Sequence, residues 1–518
     1  MPETIELSQA AIVLDPTDDV AVAKSDLAAG TVLSGPTGQL RLGQTVPGGH
    51  KLALRRLAAG RAVRKYGQAI GRASAPIEAG DWVHSHNLVW PPPDVPAGSP
   101  PAGSPGRPAA VEPPSVDRRR TFRGYQRADG RVGTRNLIAI VTSVNCAAAT
   151  ARMIADRFRD AAERFPGLDA VTPIVHNSGC GLAGAGPGTQ ILRRTLQGYA
   201  RHPNVAGLVI LGLGCEMMSL DLLQDGLDLP SDTLLERLVI QDCGGVRRTV
   251  AMGVELVNAL AAQLARRRRR EVPLAGLTLA LNCGGSDAYS GLTANPALGW
   301  ASDQLVAAGG RSVLAETPEL HGAEGLLIER ADDPADADWL VERMAWWERY
   351  VAAAGGSLDN NPSPGNKAGG LTTIGEKSMG AVAKAGRARL SAVYDYAAPI
   401  DRPGLGFMDT PGYDPVSVTG LVAGGANLIA FTTGRGSVFG SRVAPCLKLA
   451  SNSALARRMS QDIDLDCGGL IERGESVEQV GRRVLDRLLE VASGAATVNE
   501  DLPIGVDEFV PWQLGAVV

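Results

Sequence analysis

The sequence predicts an α/β protein in which a small β-rich module, a proline-rich linker and parallel-sheet α/β domains follow one another. Three observations support this prediction. The first 90 residues hold short strand-like runs separated by turns, the segment Pro91–Pro114 contains ten prolines, and strands alternate with helices along most of the remaining chain. A length of 518 residues suggests two to four domains. The predicted boundaries are 1–90 for the β-rich module, 91–120 for the linker, 121–328 for the first α/β domain and 329–518 for the C-terminal α/β domain.

The β-rich module is predicted from short apolar runs with turn signals between them. The turn signals are AAGT, VPGGH, AAGR and EAGD. The predicted strands are AIVLD, VAVAKSDL, TVLSG, HKLALR and DWVHSHNLV. The linker that follows cannot form helix or sheet ladders, because proline lacks a backbone N–H. We therefore expect it to be an extended tether.

The α/β domains are predicted from the regular alternation of apolar strands with helical segments, which is typical of a mostly parallel sheet covered on both faces. The expected strands are Leu137–Val144, Ala170–Val175, Val205–Leu213, Leu234–Gln241 and Leu277–Leu281. The expected helices are Ala147–Phe158, Gly188–Tyr199, Val250–Ala265, Pro296–Ala308 and Ala337–Ala354. A second α/β set is expected over Gly404–Met408, Val416–Ala423 and Leu428–Phe431.

Cysteines end the predicted strands unusually often. Five of the seven cysteines do so: Cys146, Cys180, Cys215, Cys243 and Cys283. Because ligands bind at the carboxyl ends of parallel strands, we expect these side chains to lie near one crevice. A single cysteine there would more often be a small packing residue, but the set favours a site. Three thiolates on separate strands can hold an iron centre and leave one coordination position open.

Two glycine-rich loops are candidates for binding an anion. The loop Gly179–Gly188 lies between a strand and a helix, where bare backbone amides and a helix N-terminus favour negative charge. Its glycine spacing differs from that of dinucleotide-binding loops, so a substrate carboxylate is the expected anion. The loop Thr432–Gly440 includes Arg435, whose guanidinium can bind a carboxylate through two hydrogen bonds. The alternative for Arg435 is an exposed structural role.

Candidate acids and bases lie mostly in loops, where catalytic groups on a rigid scaffold concentrate. They include Glu316, Glu319, Asp287 and Lys367. In the β-rich module, the segment His84-Ser85-His86 places two imidazoles on the same face of a strand. Any one of these groups could instead be a solvated surface residue.

Composition and charge exclude several functional classes from our expectations. The formal net charge of −4 gives no reason to expect nucleic acid or an anionic membrane as a partner. The first residues lack a basic segment and a cleavage site, and no apolar run approaches the length of a membrane span. We therefore expect a cytoplasmic protein with reduced thiols.

Several longer motifs carry a family resemblance. They are GYQRADGRVGTRN, GLGCE, CGGSDAYSGLTANPALG, NPSPGNKAGGLTTIGEKSMG and TTGRG. They resemble the altronate and galactarate dehydratases, which are hydro-lyases of sugar acids, and the resemblance covers essentially the whole chain. The β-rich module resembles the SAF (β-clip) domain of these enzymes through PGGHKLALR, KYGQAIG and HSHN. HSHN and NKAGGLTT are similar to the altronate branch, whereas TSVNC, SGCG and CGGSDAYSG are similar to the galactarate branch.

The resemblance implies the dehydration of a sugar acid, with altronate favoured and galactarate next. The reaction would abstract the C2 proton, expel the C3 hydroxyl and give a 2-keto-3-deoxy acid. The resemblance also implies iron, as Fe²⁺ or an iron–sulfur cluster, or another divalent metal. A sulfo-lyase such as sulfolactate sulfo-lyase is similar to the same family and is one alternative; a non-catalytic sugar-acid-binding protein is the other. The oligomeric state stays open, a homo-oligomer included.

Roles for individual residues follow from the strand-end positions and the family motifs together. The expected metal ligands are Cys180, Cys215 and Cys283, with Cys146 and His176 as alternatives. The expected base is Glu316 or Glu319, and the expected acid or orienting group is Lys367 or Asp287. The expected substrate-binding residues are Arg435, Gly179, Gly181, Ser286, His50, His84 and His86. The three histidines would bring the β-rich module over the site as a lid.

Overall fold

The computed structural model describes residues 4–36, 38–91, 120–500, 502 and 504–515. The predicted linker lies outside these residues except for its two ends, Pro91 and Arg120. The described chain forms a β-rich front module, a four-stranded parallel sheet and a seven-stranded parallel sheet, with helices against both parallel sheets. The predicted α/β architecture with a small β-rich module in front is confirmed.

The front module consists of three small sheets around two apolar clusters. Its strands are β1 (Thr4–Glu6), β2 (Ala11–Ile12), β3 (Val20–Ala23), β4 (Val32–Gly35), β5 (Gly38–Arg41), β6 (Lys51–Ala53), β7 (Ala62–Lys65), β8 (Gln68–Ala73), β9 (Trp82–Val83) and β10 (Leu88–Val89), with the short helix α1 at Leu7–Ala10. The sheet orders are β1-β4-β5, β10-β8-β7 and β2-β3-β6-β9.

The hairpin β7–β8 is absent from the predicted strands. Its two-residue turn is Tyr66-Gly67, and both residues have positive φ angles of 62° and 70°. Such turns usually begin with asparagine, aspartate or glycine, so tyrosine hides the turn signal. The carboxylate of Asp18 stabilises the turn by accepting the backbone N–H groups of Tyr66 and Gly67 at 3.2 and 2.8 Å.

The four-stranded sheet has the order β14-β13-β15-β16 and is entirely parallel. Strands β13 (Leu137–Thr142), β14 (Ala170–Ile174), β15 (Val205–Gly212) and β16 (Leu234–Val239) lie within a few residues of the predicted ones. The helices are α2 (Ala148–Ala155), α3 (Ala161–Arg164), α4 (Pro187–Ala200), α5 (Leu220–Gln224) and α6 (Val246–Leu264). A separate antiparallel sheet joins β11 (Thr121–Gln126), β12 (Val132–Gly133) and β17 (Arg270–Pro273).

The seven-stranded sheet is also entirely parallel, with the order β20-β21-β19-β18-β22-β23-β24. Its strands are β18 (Thr278–Cys283), β19 (Arg311–Leu314), β20 (Leu390–Tyr394), β21 (Gly404–Met408), β22 (Leu428–Thr433), β23 (Cys446–Ala450) and β24 (Leu465–Asp466). Its helices are α7 (Ala294–Ala307), α8 (Gly325–Ile328), α9 (Pro334–Ala353), α10 (Pro364–Ala368), α11 (Ile374–Val382), α12 (Asp414–Ala423), α13 (Ser453–Arg458), α14 (Gly469–Glu472) and α15 (Val477–Ala492).

The division between the two parallel sheets differs from the predicted boundary at residue 328. Strands β18 and β19 precede that residue, yet they form the middle of the seven-stranded sheet. The sheets therefore separate between β16 and β18. Strands and helices alternate in the same way in both sheets, so the sequence pattern does not show where one sheet ends and the next begins.

The two parallel sheets share an apolar core. Helices α4 and α12 pack between them so closely that a Cβ on Gly198 would lie 2.2 Å from the carbonyl oxygen of Ala423. The carboxyl ends of the strands carry the loops that hold most of the predicted site residues. Among the helices in the described ranges, none combines the length and hydropathy of a membrane span.

Candidate functional site

Five buried side chains form a compact group at the carboxyl edge of the seven-stranded sheet. Cys283 ends β18, and Glu316 and Glu319 follow β19 in a short 3₁₀ turn. Lys377 comes from α11, and Lys384 from the 3₁₀ turn that continues it. Each of the five is at most 9% exposed. We call these residues the buried charge cluster.

The ion pairs of the buried charge cluster are short. Nζ of Lys384 lies 2.9 Å from Sγ of Cys283 and 3.6 Å from Oε2 of Glu316. Nζ of Lys377 lies 2.5 Å from Oε1 of Glu319. The thiol Sγ in turn lies 3.7 and 3.6 Å from the carboxylates of Glu316 and Glu319. Two carboxyl groups, two ammonium groups and one thiol thus share a space with little water-exposed surface.

Burial and ion pairing shift the pKa values of Glu316 and Glu319 in opposite directions. Burial raises the pKa of Glu316 to about 8, and the neighbouring charge of Glu319 acts in the same direction. For Glu319, burial also raises the pKa, but the charges of Lys377 and Lys384 outweigh it and hold the pKa below its usual value. Near neutral pH, Glu319 is ionised and Glu316 is poised between its two forms. Such a pair of unequal carboxyl groups is typical of acid–base catalysis.

Two further groups of the cluster have a defined protonation state. Burial raises the pKa of the Cys283 thiol to about 12, so the thiol keeps its proton near neutral pH. For Lys384, burial lowers the pKa, but the neighbouring thiol and carboxylates reverse this and hold the pKa above its usual value. Lys384 is therefore a permanent positive charge beside Glu316.

Glu316 has two local features that packing alone does not require. Its backbone lies in the left-handed region with φ of 71°, which is rare for a residue with a side chain. The backbone N–H donates to Oγ1 of Thr410 at 2.9 Å, which holds this conformation. Its Oε1 is buried and has no hydrogen-bond partner in the described part of the chain. A buried, unpartnered carboxyl oxygen on strained backbone indicates a functional group.

Asp287 lies above the cluster with its carboxylate fully engaged. Its Oδ1 accepts hydrogen bonds from Ser290 Oγ and Ser451 Oγ, both at 2.8 Å, and Oδ2 accepts one from Asn452 at 3.0 Å. A carboxylate with this many donors orients the surrounding loops, and this favours the orienting role over proton transfer. The neighbouring Ser286 is buried, and its carbonyl oxygen accepts from Asn366 at 2.8 Å.

Arg435 and Lys367 border the same region. The backbone N–H of Arg435 donates to the carbonyl oxygen of Gly285 at 2.7 Å, and its side chain passes within 3.1 Å of a Cβ built on Gly369. The Arg435 side chain is exposed and makes no ion pair with any described residue. Lys367 is half-buried in α10 beside it.

One front-module histidine, His84, contacts helix α10 beside this region, and His50 and His86 lie near it in the front module. Nε2 of His84 lies 2.9 Å from the carbonyl oxygen of Lys367. His50 stacks 5.1 Å from His84 and accepts the indole N–H of Trp82 at 3.1 Å. His86 is exposed, with its ring 5.3 Å from that of Trp82. The front module is thus docked on the loops that surround Asp287.

The docked arrangement leaves little room beside the cluster. A space of about 10 Å³ is lined by Asp287, Ser290 and Lys377 together with Tyr66 of the front module. A cavity of about 600 Å³ lies at the opposite, amino-terminal edge of the sheets, next to Arg131 and Arg311. We assign no catalytic role to that larger cavity, because none of the predicted site residues lines it. The smaller space lies between the front module and the loops of the seven-stranded-sheet domain.

The other predicted thiols form a separate group at the carboxyl edge of the four-stranded sheet. Cys146, Cys180 and Cys215 lie in the loops after β13, β14 and β15, and all three are exposed. We call these three residues the thiol edge. Cys283 does not belong to this edge, because β18 lies in the other sheet.

Backbone hydrogen bonds tie the three loops of the thiol edge together. The N–H of Asn145 donates to the carbonyl oxygen of Ser178 at 2.9 Å, and the N–H of Met218 donates to that of Gly179 at 3.0 Å. A Cβ on Gly179 would lie 2.2 Å from the carbonyl oxygen of Ser143, so only glycine permits this approach. The cysteines therefore project from three loops held in contact.

Three predicted site residues have different surroundings from those expected. His176 uses both ring nitrogens on backbone groups: Nε2 lies 3.0 Å from the carbonyl oxygen of Thr142, and Nδ1 accepts the Ser178 N–H at 3.2 Å. This ring is therefore not available as a metal ligand. Gly179 and Gly181 lie at the thiol edge, whereas Arg435 lies at the edge of the seven-stranded sheet.

The implied metal can be tested against two donor sets. Donor atoms of Cys283, Glu316 and Glu319 lie within 4.8 Å of one another, a grouping that can hold a metal ion. However, Lys384 and Lys377 already lie within hydrogen-bond distance of these donors. A dication there would face two buried ammonium groups, which is electrostatically unfavourable. Among the described residues, the three exposed sulfur atoms of the thiol edge do not form a grouping this close.

The lysines of the buried charge cluster are absent from the predicted site. Lys377 and Lys384 are seven residues apart, about two helical turns, and so project to the same side. That spacing in GEKSMGAVAK places the two lysines on one side of the helix, but it does not show that they are buried. Asn361, whose side chain bonds Glu319 at 2.9 Å and Lys377 at 2.9 Å, lies in an irregular segment without a comparable signal.

Comparison with known proteins assigns a family to all three parts of the chain. Residues 274–517 match the model "D-galactarate/Altronate dehydratase, C-terminal", and residues 124–265 match "D-galactarate dehydratase/Altronate hydrolase, second domain". Residues 9–91 match "Altronate/galactarate dehydratase SAF domain". The second-domain match ends at residue 265 and the C-terminal match begins at residue 274, which agrees with the division between the two parallel sheets.

Curated relatives cover most of the chain. It is 37% identical to an altronate dehydratase of Escherichia coli over 93% of this chain and 95% of that protein. It is 35% identical to a galactarate dehydratase (L-threo-forming) of the same organism, over 94% and 93% of the two chains. The beta subunit of a (2R)-sulfolactate sulfo-lyase of Chromohalobacter salexigens is 32% identical over 76% of this chain and 98% of that subunit.

Proposed function

Because the chain belongs to the D-galactarate/altronate dehydratase family, we propose that it dehydrates altronate, with galactarate as the next candidate substrate. The protein is a carbon–oxygen lyase of the hydro-lyase type. The product would be a 2-keto-3-deoxy acid. Altronate is placed first because the altronate dehydratase is slightly more similar than the galactarate dehydratase, at 37% against 35% identity.

The observation that carries the proposal is the unpartnered Oε1 of Glu316. Removing a proton from C2 of a sugar acid requires a strong base, and a carboxylate with a pKa of about 8 is much stronger than an ordinary one. We assign Glu316 as the base that takes the C2 proton through Oε1. Glu319 stays ionised in its pair with Lys377 and keeps the Glu316 pKa high.

The electron pair of the broken C2–H bond forms the C2–C3 double bond as the C3–O bond breaks. The departing hydroxyl leaves as water after taking a proton from an acid, for which we assign Lys367, with Asp287 orienting the loop. The resulting enol takes a proton at C3 and becomes the 2-keto acid. Lys384 stabilises the negative charge that develops near Glu316.

Arg435 is the proposed carboxylate ligand. Its exposed guanidinium has no ion pair among the described residues and lies beside Gly285 and Gly369, close to Asp287. A guanidinium binds a carboxylate through two parallel hydrogen bonds, which would fix C2 relative to the base. His84 and His86 of the docked front module would complete this side.

Cys146, Cys180 and Cys215 are the proposed holders of the iron that the family resemblance implies. Three thiolate donors would hold the iron at an edge of a different sheet from Glu316 and Arg435, so no step of the reaction above is assigned to it. Exchange of Cys180 or Cys215 for serine is expected to lower the iron content per chain after anaerobic reconstitution. The matched control is Cys243→Ser on the same sheet edge, which is expected to retain iron.

Iron and sulfide quantification with EPR distinguishes the outcomes. Sulfide at about four per chain indicates a cluster, whereas iron without sulfide indicates a mononuclear ion. Loss of iron in Cys283→Ser, with full iron in Cys180→Ser and Cys215→Ser, would instead place the metal in the buried charge cluster and contradict this assignment.

The substrate is tested with a panel of sugar acids incubated anaerobically with the iron-loaded protein. Release of a 2-keto acid is scored for altronate, galactarate and other aldonates, and release of sulfite is scored for sulfolactate. We expect the highest kcat/KM with altronate. Sulfite release without 2-keto acid formation from any sugar acid would support the sulfo-lyase alternative, for which the similarity to the sulfolactate sulfo-lyase beta subunit is the supporting observation.

A further inference from the structure

A second set of buried charges joins the front module to the seven-stranded-sheet domain. Lys51 and Lys65 belong to β6 and β7 of the front module, and Glu376 belongs to α11. The Glu376 carboxylate accepts from Nζ of Lys51 at 2.8 and 3.0 Å and from Nζ of Lys65 at 2.8 Å. All three side chains are 0% exposed. We call them the interdomain clamp.

Lys51 and Glu376 of the interdomain clamp each make several hydrogen bonds, which favours one docking geometry. Nζ of Lys51 also donates to the carbonyl oxygen of Gly370 at 2.8 Å, which uses its third proton. Oε2 of Glu376 also accepts from Oγ1 of Thr372 at 2.6 Å. Burial raises the pKa of Glu376, but the two lysine charges outweigh it and hold the pKa well below its usual value. The carboxylate therefore stays charged.

Burying ion pairs between two protein surfaces requires desolvation of the charged groups, which is unfavourable in free energy. Apolar residues of similar volume often give equal or greater stability, so retained buried charges call for another explanation such as a specific geometry. The same surface already has apolar contact: the ring of Trp90 covers Gly375 so tightly that a Cβ there would lie 2.1 Å from it. Oγ1 of Thr373 also bonds the carbonyl oxygen of Ile70. The front module thus contacts α11 at several successive residues.

Helix α11 carries the interdomain clamp on one side and the buried charge cluster on the other. Glu376 and Lys377 are consecutive residues, so their side chains diverge by about 100° around the helix. Glu376 faces the front module, whereas Lys377 donates to Glu319 at 2.5 Å and to Asn361 at 2.9 Å. Any shift of this turn moves both contacts together.

We propose that Lys51, Lys65 and Glu376 are positioning residues, which hold the front module closed and set Lys377 against Glu319. The front module then does more than cover the site, because its two lysines fix the helix that supplies one of the cluster's cations. This inference rests on the proposed function of the buried charge cluster. Loss of the clamp would loosen α11 and let the Lys377–Glu319 pair lengthen.

The test compares Lys51→Met, Glu376→Gln and the double variant with the wild-type protein. We expect kcat for altronate to fall about tenfold or more in each single variant with a smaller change in KM, because displacements near 1 Å at a catalytic group have effects of that size. Since the residues act as a unit, the double variant should be little worse than Glu376→Gln alone. The rising limb of the pH–rate profile should move, because a weaker Lys377–Glu319 pair changes the charge beside Glu316.

Hydrogen–deuterium exchange provides a readout that does not depend on activity. Exchange of the α11 amides should become faster in Lys51→Met and Glu376→Gln. The control is Arg56→Met, which breaks the exposed Arg56–Glu78 pair within the front module and should change neither exchange nor kcat. If Glu376→Gln does not fold, Lys51→Met carries the test. Folded variants with wild-type exchange in α11 and a wild-type pH profile would overturn the inference.

The two proposals fail in different ways. If no sugar acid is turned over by the wild-type protein, the proposed function fails, but faster α11 exchange in Lys51→Met would still show the coupling. If altronate is turned over and the clamp variants behave like the wild type, only the coupling fails.

Discussion

Replacement of Glu316 by glutamine is expected to lower kcat/KM for altronate by about 10²–10⁴-fold, the range that a general base contributes. Glutamine keeps the size of the side chain and removes only its ability to accept the C2 proton. In the wild type, kcat/KM should rise as pH increases through about 8, because the base must be ionised and burial together with Glu319 raises its pKa to that value. Steady-state kinetics between pH 6 and 10 would measure both effects.

The matched control for Glu316→Gln is Asp303→Asn. Asp303 is also a buried carboxylate, but it accepts the backbone N–H groups of Arg387 and Ala388 at 2.8–2.9 Å, outside the buried charge cluster. This variant should lose stability and keep its kcat and its pH profile. A Glu316→Gln variant with wild-type kcat, or a wild-type rate that falls as pH rises through 8, would contradict the role of Glu316 as base.

Exchange of Lys384 for methionine has the second-largest expected effect, a loss of about 10²-fold in kcat, the scale on which one electrostatic contact to the transition state acts. The positive charge of Lys384 lowers the Glu316 pKa, so its removal should raise that pKa further. The rising limb of the pH profile should therefore move to higher pH. Steady-state kinetics at several pH values would show the loss and the shift together.

Lys448→Met controls for the loss of a buried lysine. Lys448 is fully buried and donates to the carbonyl oxygen of Ser437 at 3.1 Å, away from the buried charge cluster. Its replacement should lower the thermal unfolding temperature without moving the limb of the pH profile. A Lys384→Met variant whose limb stays in the wild-type position would show that the ammonium does not act on Glu316.

The sequence predicts the elements of this fold better than their grouping. Local periodicity located β13 to β16 and the helices α2, α4 and α6, whereas the four- and five-residue helices α3 and α5 were not predicted. The chain passes from the four-stranded to the seven-stranded sheet before β18, and local sequence patterns do not encode this change of sheet. Cys283 therefore lies at the edge of the seven-stranded sheet, whereas the thiol edge belongs to the four-stranded sheet; the sequence had predicted one crevice for both.

Residue types and motifs in the sequence predicted part of the candidate site. Glu316 and Glu319 were predicted because they lie in a glycine- and proline-containing loop, and the structure places both beside Cys283. The family motifs pointed to Asp287 and Arg435, which border the same region. Lys377 and Lys384 were missed because lysines on a helix are usually solvated, and only tertiary packing shows that these two are buried.

For the front module, too, the sequence predicted only some of the residues that contact the rest of the chain. His50 and His84 were predicted to approach the site, and the contact of His84 with Lys367 agrees with that. Lys51, next to His50 in sequence, looked like an ordinary strand lysine. Its partner Glu376 lies 325 positions further along the chain, so only the docked structure reveals the pair.

The most direct test of the central claim is the position of deuterium in the product formed from altronate in D₂O. Abstraction of the C2 proton by Glu316, followed by tautomerisation of the enol, predicts a 2-keto-3-deoxy acid with one solvent deuterium at C3, seen by NMR. Product formed with only protium at C3 would mean that hydrogen passed directly from C2 to C3, and absence of product would exclude dehydration. Either result would contradict the account.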